Sequence, residues 1–105
     1  MERLIYNEWT VSGRVDYLNL LEDNEFKASI KLIASARRKN MSSTQILNFG
    51  CLMEEETYKL ALEKGVNKNK YVTLSGHIES WIKQGKKGDS IKTRFVCDDI
   101  LEVVE

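Results

Sequence analysis

Over residues 8–15 apolar and polar positions alternate. Trp9, Val11, Gly13 and Val15 fall on one side, with Thr10, Ser12 and Arg14 on the other. A period of two with β-branched and aromatic residues predicts a strand buried on one face. Gly13 inside it marks a bulge, a bend or a close backbone approach. The polar stretch Leu21-Glu22-Asp23-Asn24-Glu25 turns the chain. A second strand follows, with Phe26, Ala28, Ile30 and Leu32 on one face and Lys27, Ser29, Lys31 and Ile33 on the other. Residues 37–43 carry no apolar period and read as a loop. A third strand runs from Thr44 to Phe49 and ends at Gly50.

The period then lengthens. From Cys51 to Lys64, the residues Leu52, Met53, Thr57, Leu60 and Ala61 fall near one helical face, while Glu54, Glu55 and Glu63 point away. This predicts an amphipathic helix of about three to four turns. Acids at its start and Lys64 at its end suit the helix dipole, and Gly65 follows as a natural cap. The fourth strand sets Val72, Leu74, Gly76 and Ile78 against Tyr71, Thr73, Ser75, His77, Glu79 and Trp81. Residues 83–89 carry hairpin-turn chemistry. A fifth strand covers residues 90–96, and residues 99–104 extend or follow it. Three strands, a helix and two strands describe an all-β chain with one helix. That order fits the OB-fold, a five-stranded Greek-key barrel with its helix between strands 3 and 4. Small α+β sandwiches share the same string of elements.

Length and composition narrow the reading. At 105 residues with 42% hydrophobic content, the chain fits one domain over residues 1–105 with its own core. No apolar run approaches the ~18–20 residues that span a bilayer. The opening MERLIYNEWTV has early acids and no small-residue cleavage site, so a cytoplasmic location without a leader is the expectation. Cys51 and Cys97 lack metal-ligand spacing and read as small buried hydrophobes. His77 stands alone and forms no triad or metal site. Asp98 and Asp99 point to opposite faces of a strand, which makes a poor acid–base pair. No phosphate-cradling glycine loop is present. Neither an enzyme nor a cofactor is expected.

Several segments in order resemble the bacterial single-stranded DNA-binding protein family. They are Asn7-Glu8-Trp9-Thr10-Val11-Ser12-Gly13-Arg14-Val15, Phe26-Lys27-Ala28-Ser29-Ile30-Lys31-Leu32 and Phe49-Gly50-Cys51-Leu52 with its acidic helix and Lys64-Gly65 ending. Tyr71-Val72-Thr73-Leu74-Ser75-Gly76-His77-Ile78 and Thr93-Arg94-Phe95-Val96-Cys97-Asp98-Asp99-Ile100 complete the set. The resemblance implies an OB-fold, non-catalytic and largely sequence-independent binding of single-stranded DNA, and a role in DNA replication, recombination or repair. It also implies a homodimer or homotetramer, and replication or recombination proteins as partners. The sequence stops at Glu105 without the family's flexible linker and acidic tip, and so reads as a tailless short form similar also to primosomal replication protein N. The family's aromatics in the second-to-third strand loop and early third strand are missing, with Ser43 near the latter place.

Binding a single strand without sequence preference needs cations along the backbone path and flat side chains for the bases. Trp81 has outward parity just before a basic hairpin, and either stacks a base or makes an oligomer contact. Phe49 matches the family's stacking aromatic by motif, and either stacks or packs the core. Trp9 has core parity, and Tyr17 faces a groove or covers a barrel end. The 16 bases and 16 acids sum to zero, a balance that taken alone argues against a polyanion partner. The distribution argues otherwise. Residues 27–40 hold five bases, Lys27, Lys31, Arg37, Arg38 and Lys39, and no acid. Residues 64–92 hold seven bases, Lys83, Lys86 and Lys87 among them, against two acids. In an OB-fold the second-to-third and fourth-to-fifth connections flank one face, so both runs are expected to wall one groove. The expected site is therefore Trp81, Phe49, Lys31, Arg37, Arg38, Lys39, Lys83, Lys86, Lys87 and His77. Residues 6–11 are the expected self-association contact. A protein–protein adaptor, or a primosome-type component with weak or no DNA binding, is the other open reading.

Overall fold

The computed structural model describes residues 7–37 and 44–104. Its elements are β1 (Trp9–Leu20), β2 (Ala28–Arg37), β3 (Thr44–Met53), α1 (Glu55–Glu63), β4 (Tyr71–Gly85) and β5 (Gly88–Val104). The strands close into a barrel in the spatial order β1-β2-β3-β5-β4. On one side β1 pairs with both β2 and β4. On the other, a short parallel seam sets Leu52 opposite Val96 and Met53 opposite Cys97. A closed five-stranded barrel with its helix between the third and fourth strands is the OB-fold. No helix among the described residues is long and apolar enough to cross a membrane.

The core follows the alternation. Val15, Ala28, Ile30, Leu32 and Leu74 are fully buried, and each of the four larger aliphatic side chains contributes about 1.5–3 kcal/mol. Cys51 and Cys97 are free thiols buried beside the seam. Their mutual hydrogen bond, then burial, push the Cys51 thiol far above its usual range. Helix α1 buries Ala61 and packs Tyr58 and Leu60 on the barrel. Its end is a Schellman motif, with Val66 N donating to Ala61 O at 2.9 Å and Gly65 N to Leu62 O at 3.1 Å. Gly65 supplies the positive φ of 80° that this motif requires.

Three boundaries differ from the sequence reading, and a fourth resolves to one of its two alternatives. The helix begins at Glu55 rather than Cys51, because β3 runs on to Met53 with Cys51 and Met53 both facing the core. Strand β1 extends to Leu20, through a register shift between Val15 and Tyr17 that curls it around the barrel. The expected loop over residues 83–89 shrinks to Lys86 and Lys87, with Gly88 (φ 116°) taking the positive-φ position of the hairpin. Residues 99–104 extend the fifth strand, the first of the two alternatives, as part of one long β5 that skips Asp98 and Leu101 in its pairing with β4. Ile78, expected inward, is 37% exposed, because there β4 and β5 leave the barrel as a two-stranded arm.

Candidate nucleic-acid interface

Two ribbons project from the barrel: the far ends of β2 and β3, and the longer β4–β5 arm. Strands β3 and β5 touch only at the seam and diverge before it. A groove of about 250 Å³ opens where they part. Tyr17, Ser29, Gly50 and Leu52 line one side, and Thr93, Arg94 and Phe95 the other. A Cβ at Gly50 would meet nothing nearer than the Ile30 carbonyl oxygen at 3.9 Å, so the glycine leaves this side flat and open. Lys31 lies directly opposite both Tyr17 and Gly50, with Nζ 6.0 Å from the Tyr17 ring centroid.

The arm presents a second surface. Trp81 is 45% exposed. Lys92 stands opposite it, Lys83 and Ser90 form the same-face pair toward the tip, and Glu79 and Arg94 the one toward the barrel. Lys83, Lys86, Lys87 and Lys92 are all exposed. The arm thus sets an indole in line with ammonium groups, the combination that holds stacked bases and their phosphates. Its opposite face carries Ile82 and Ile91, 67% and 74% exposed.

Of the other expected residues, Phe49 lies on the inward side of β3. It makes an edge contact with Trp9 at 4.8 Å and a tilted one with Phe95 at 5.1 Å, and so packs the mouth of the barrel. Arg37 ends β2 opposite Thr44, while Arg38 and Lys39 lie outside the described residues. The run over residues 64–92 does not form one wall. Lys64 donates to the Ile100 carbonyl at 2.7 Å, and Lys68 lines a cleft beside α1 with Tyr58 and Leu62. Only the bases from Lys83 onward belong to the arm. The sequence reading counted Lys92 only within the basic run and left Arg94 out of the site, whereas the hairpin register sets Lys92 opposite Trp81 and Arg94 on the same face.

His77 has both ring nitrogens engaged, Nδ1 with Asp98 at 2.7 Å and Nε2 with Glu79 at 2.8 Å. Asp98 reaches it because it is bulged out of the β4–β5 ladder, the usual way a bulge re-aims a side chain. The hydrogen bonds to Asp98 and Glu79 raise the His77 pKa above its ordinary 6.5, and those from His77 and Arg94 lower that of Glu79. A raised histidine pKa contributes stability that is complete below its unfolded value and lost as pH rises through the folded one. Wild-type stability is therefore expected to decline from about pH 6.5 upward, and His77→Gln to flatten that decline. Urea melts at several pH values check this; parallel curves for the two proteins would refute it. Among the described residues, no group of three or more His, Cys, Asp or Glu side chains is placed to hold a metal ion.

No family model and no curated protein matches the sequence. Solved structures do resemble the fold. The Plasmodium falciparum SSB in complex with single-stranded DNA superposes with a TM-score of 0.61 at 15% identity, over 91% of this chain and 89% of that one. A mitochondrial single-stranded DNA-binding protein of S. cerevisiae gives 0.60 at 13% identity, over 92% and 94%. Its selenomethionine form gives 0.60 at 13%, over 97% and 98%. At such identities the likeness is one of fold.

Proposed function

We propose that this chain binds single-stranded DNA, without catalysis and largely without sequence preference. The observation that carries the reading is the alignment of exposed Trp81 with Lys83 and Lys92 on one face of the arm. The groove with Tyr17 and Lys31 beside an unfilled Gly50 offers the strand a continuing path. The fold shared with single-stranded DNA-binding proteins of two organisms supports the same assignment. Arg37, Arg38 and Lys39 remain part of the proposed cationic set on their charge in the sequence alone. DNA replication, recombination or repair is the setting we propose, in the cytoplasm and with proteins of those processes as partners.

Self-association belongs to this reading. Residues 9–13 of β1 pair with β4 and begin pairing with β2 only at Arg14, which leaves a backbone edge for a second copy. Assembly as a homodimer or homotetramer through that edge accords with the expected contact over residues 6–11, of which Tyr6 lies outside the described residues. Ile82 and Ile91 favour a second reading, an adaptor that docks a protein on the far face of the arm.

Titrating fluorescent oligo(dT) at two salt concentrations tests the assignment. Binding is expected to weaken steeply with salt, since each phosphate neutralised on a single strand adds about −0.7 to the log–log slope. Gly50→Glu, which places a carboxylate in the groove, is expected to weaken it further. Absent or salt-insensitive binding would remove the proposal in favour of the adaptor.

A further inference from the structure

Arg94 stands at the root of the arm with nearly all its donors spent. Nε donates to Glu79 Oε1 at 2.8 Å, and Nη2 lies 2.7 Å from that same oxygen. Nη2 also donates to Glu25 Oε1 at 2.8 Å, and Nη1 to Glu25 Oε2 at 3.4 Å. The guanidinium carbon sits 4.6 Å from the Phe26 ring centroid and 5.0 Å from that of Trp81. Phe26 is 2% exposed and belongs to the core, whereas Trp81 is on a ribbon that has left the barrel. Glu25 and Phe26 come from the connection between β1 and β2, and Glu79 and Trp81 from β4.

A planar cation between two rings, forked onto carboxylates from two elements, is a mechanical link. It is poorly suited to hold phosphate. The side chain is 27% exposed, and the two carboxylates beside it outnumber its own charge. We infer that Arg94 is a positioning residue that ties Trp81 to the core through Phe26, with Glu25 and Glu79 as its supports. The indole is thereby held ready for a base, and less ordering is lost when the strand binds. The affinity consequence rests on the single-stranded DNA reading; the link itself does not.

The sign of the effect makes the test sharp. Simple electrostatics expects tighter DNA binding when an acid near the path is neutralised. The link expects weaker binding from Glu25→Gln and Glu79→Gln, by about three- to tenfold, a fraction of one stacking interaction. Arg94→Gln is expected to weaken binding by a similar factor with an unchanged salt slope, because no phosphate contact is lost. Protein labelled with 5-fluorotryptophan reports the link without DNA: the ¹⁹F line of Trp81 should narrow in all three variants while that of Trp9 holds. Glu25 is 60% exposed in its side chain on a surface connection, so that variant keeps the fold even if Arg94→Gln does not. Equal or tighter binding by the Glu→Gln variants would overturn the inference. So would a slope reduced by about 0.7 in Arg94→Gln, the share of one phosphate contact on a single strand, or an unchanged Trp81 line. If wild-type protein fails to bind oligo(dT), the DNA reading falls, and the ¹⁹F lines still decide the link.

Discussion

Gly76→Ala is expected to destabilise the barrel by about 3 kcal/mol or more, while Gly50→Ala stays within about 0.5 kcal/mol of wild type. Both glycines lie inside strands, and only their surroundings differ. A Cβ at Gly76 would overlap the Val96 carbonyl oxygen and come within 2.5 and 2.8 Å of two Trp9 ring atoms. Neither neighbour has room to move. Val96 sits in the two-pair seam that closes the barrel, so shifting its carbonyl opens the weakest junction of the sheet. The Trp9 ring is pinned by a 2.9 Å hydrogen bond from Nε1 to the His77 carbonyl and by its edge contact with Phe49. Overpacking of a core ordinarily costs about 1–3 kcal/mol, and displacing backbone adds to that. Urea unfolding followed by circular dichroism measures the difference. Matching midpoints for Gly76→Ala and wild type would show that β4 and β5 do not approach as closely as described.

That close approach also marks where sequence reasoning reached its limit. Alternation correctly assigned the inward sets of β1 and β2, because those strands have one wet and one dry face. Gly65 correctly ended the helix. Alternation could not separate residues 51–53 from the helix, since Leu52 and Met53 also fall near the helical face of Thr57, Leu60 and Ala61. Only the pairing of β3 shows Cys51 and Met53 as the inward pair. Ile78 has the parity of Val72 and Leu74, yet parity says nothing of where a strand leaves the barrel. The bulge that carries Asp98 to His77 needs a cross-strand register. So does Arg94, which carries no local signal as a partner of Trp81. Once the hairpin is pinned to two residues, Lys86 and Lys87, counting back sets Trp81 opposite Lys92 and Glu79 opposite Arg94. The run of bases over residues 64–92 misled for a related reason: the folded chain separates the helix-end Lys64 and Lys68 from the lysines of the arm.

Trp81→Ala is expected to weaken oligo(dT) binding by about 5- to 150-fold, the equivalent of about 1–3 kcal/mol of stacking, without changing the salt slope. The paired variant Lys83→Ala, Lys86→Ala, Lys87→Ala should do the reverse. Its slope should fall by about two units, each phosphate contact on a single strand contributing about 0.7, with the loss of affinity fading at high salt. The two changes lie within one short hairpin, so a general disturbance of the arm would move both readouts together. Separate responses would assign the indole to bases and the ammonium groups to phosphates. Trp9, part-buried at the barrel mouth, serves as the internal reference: emission quenched by DNA should vanish in Trp81→Ala while the Trp9 signal persists. If Trp81→Ala instead changes the mass of the assembly and leaves affinity untouched, the exposed ring is a protein contact and the adaptor reading takes its place. The geometry favours the first outcome, because the ring shares its face with Lys83 and Lys92 while the exposed apolar pair Ile82 and Ile91 occupies the other.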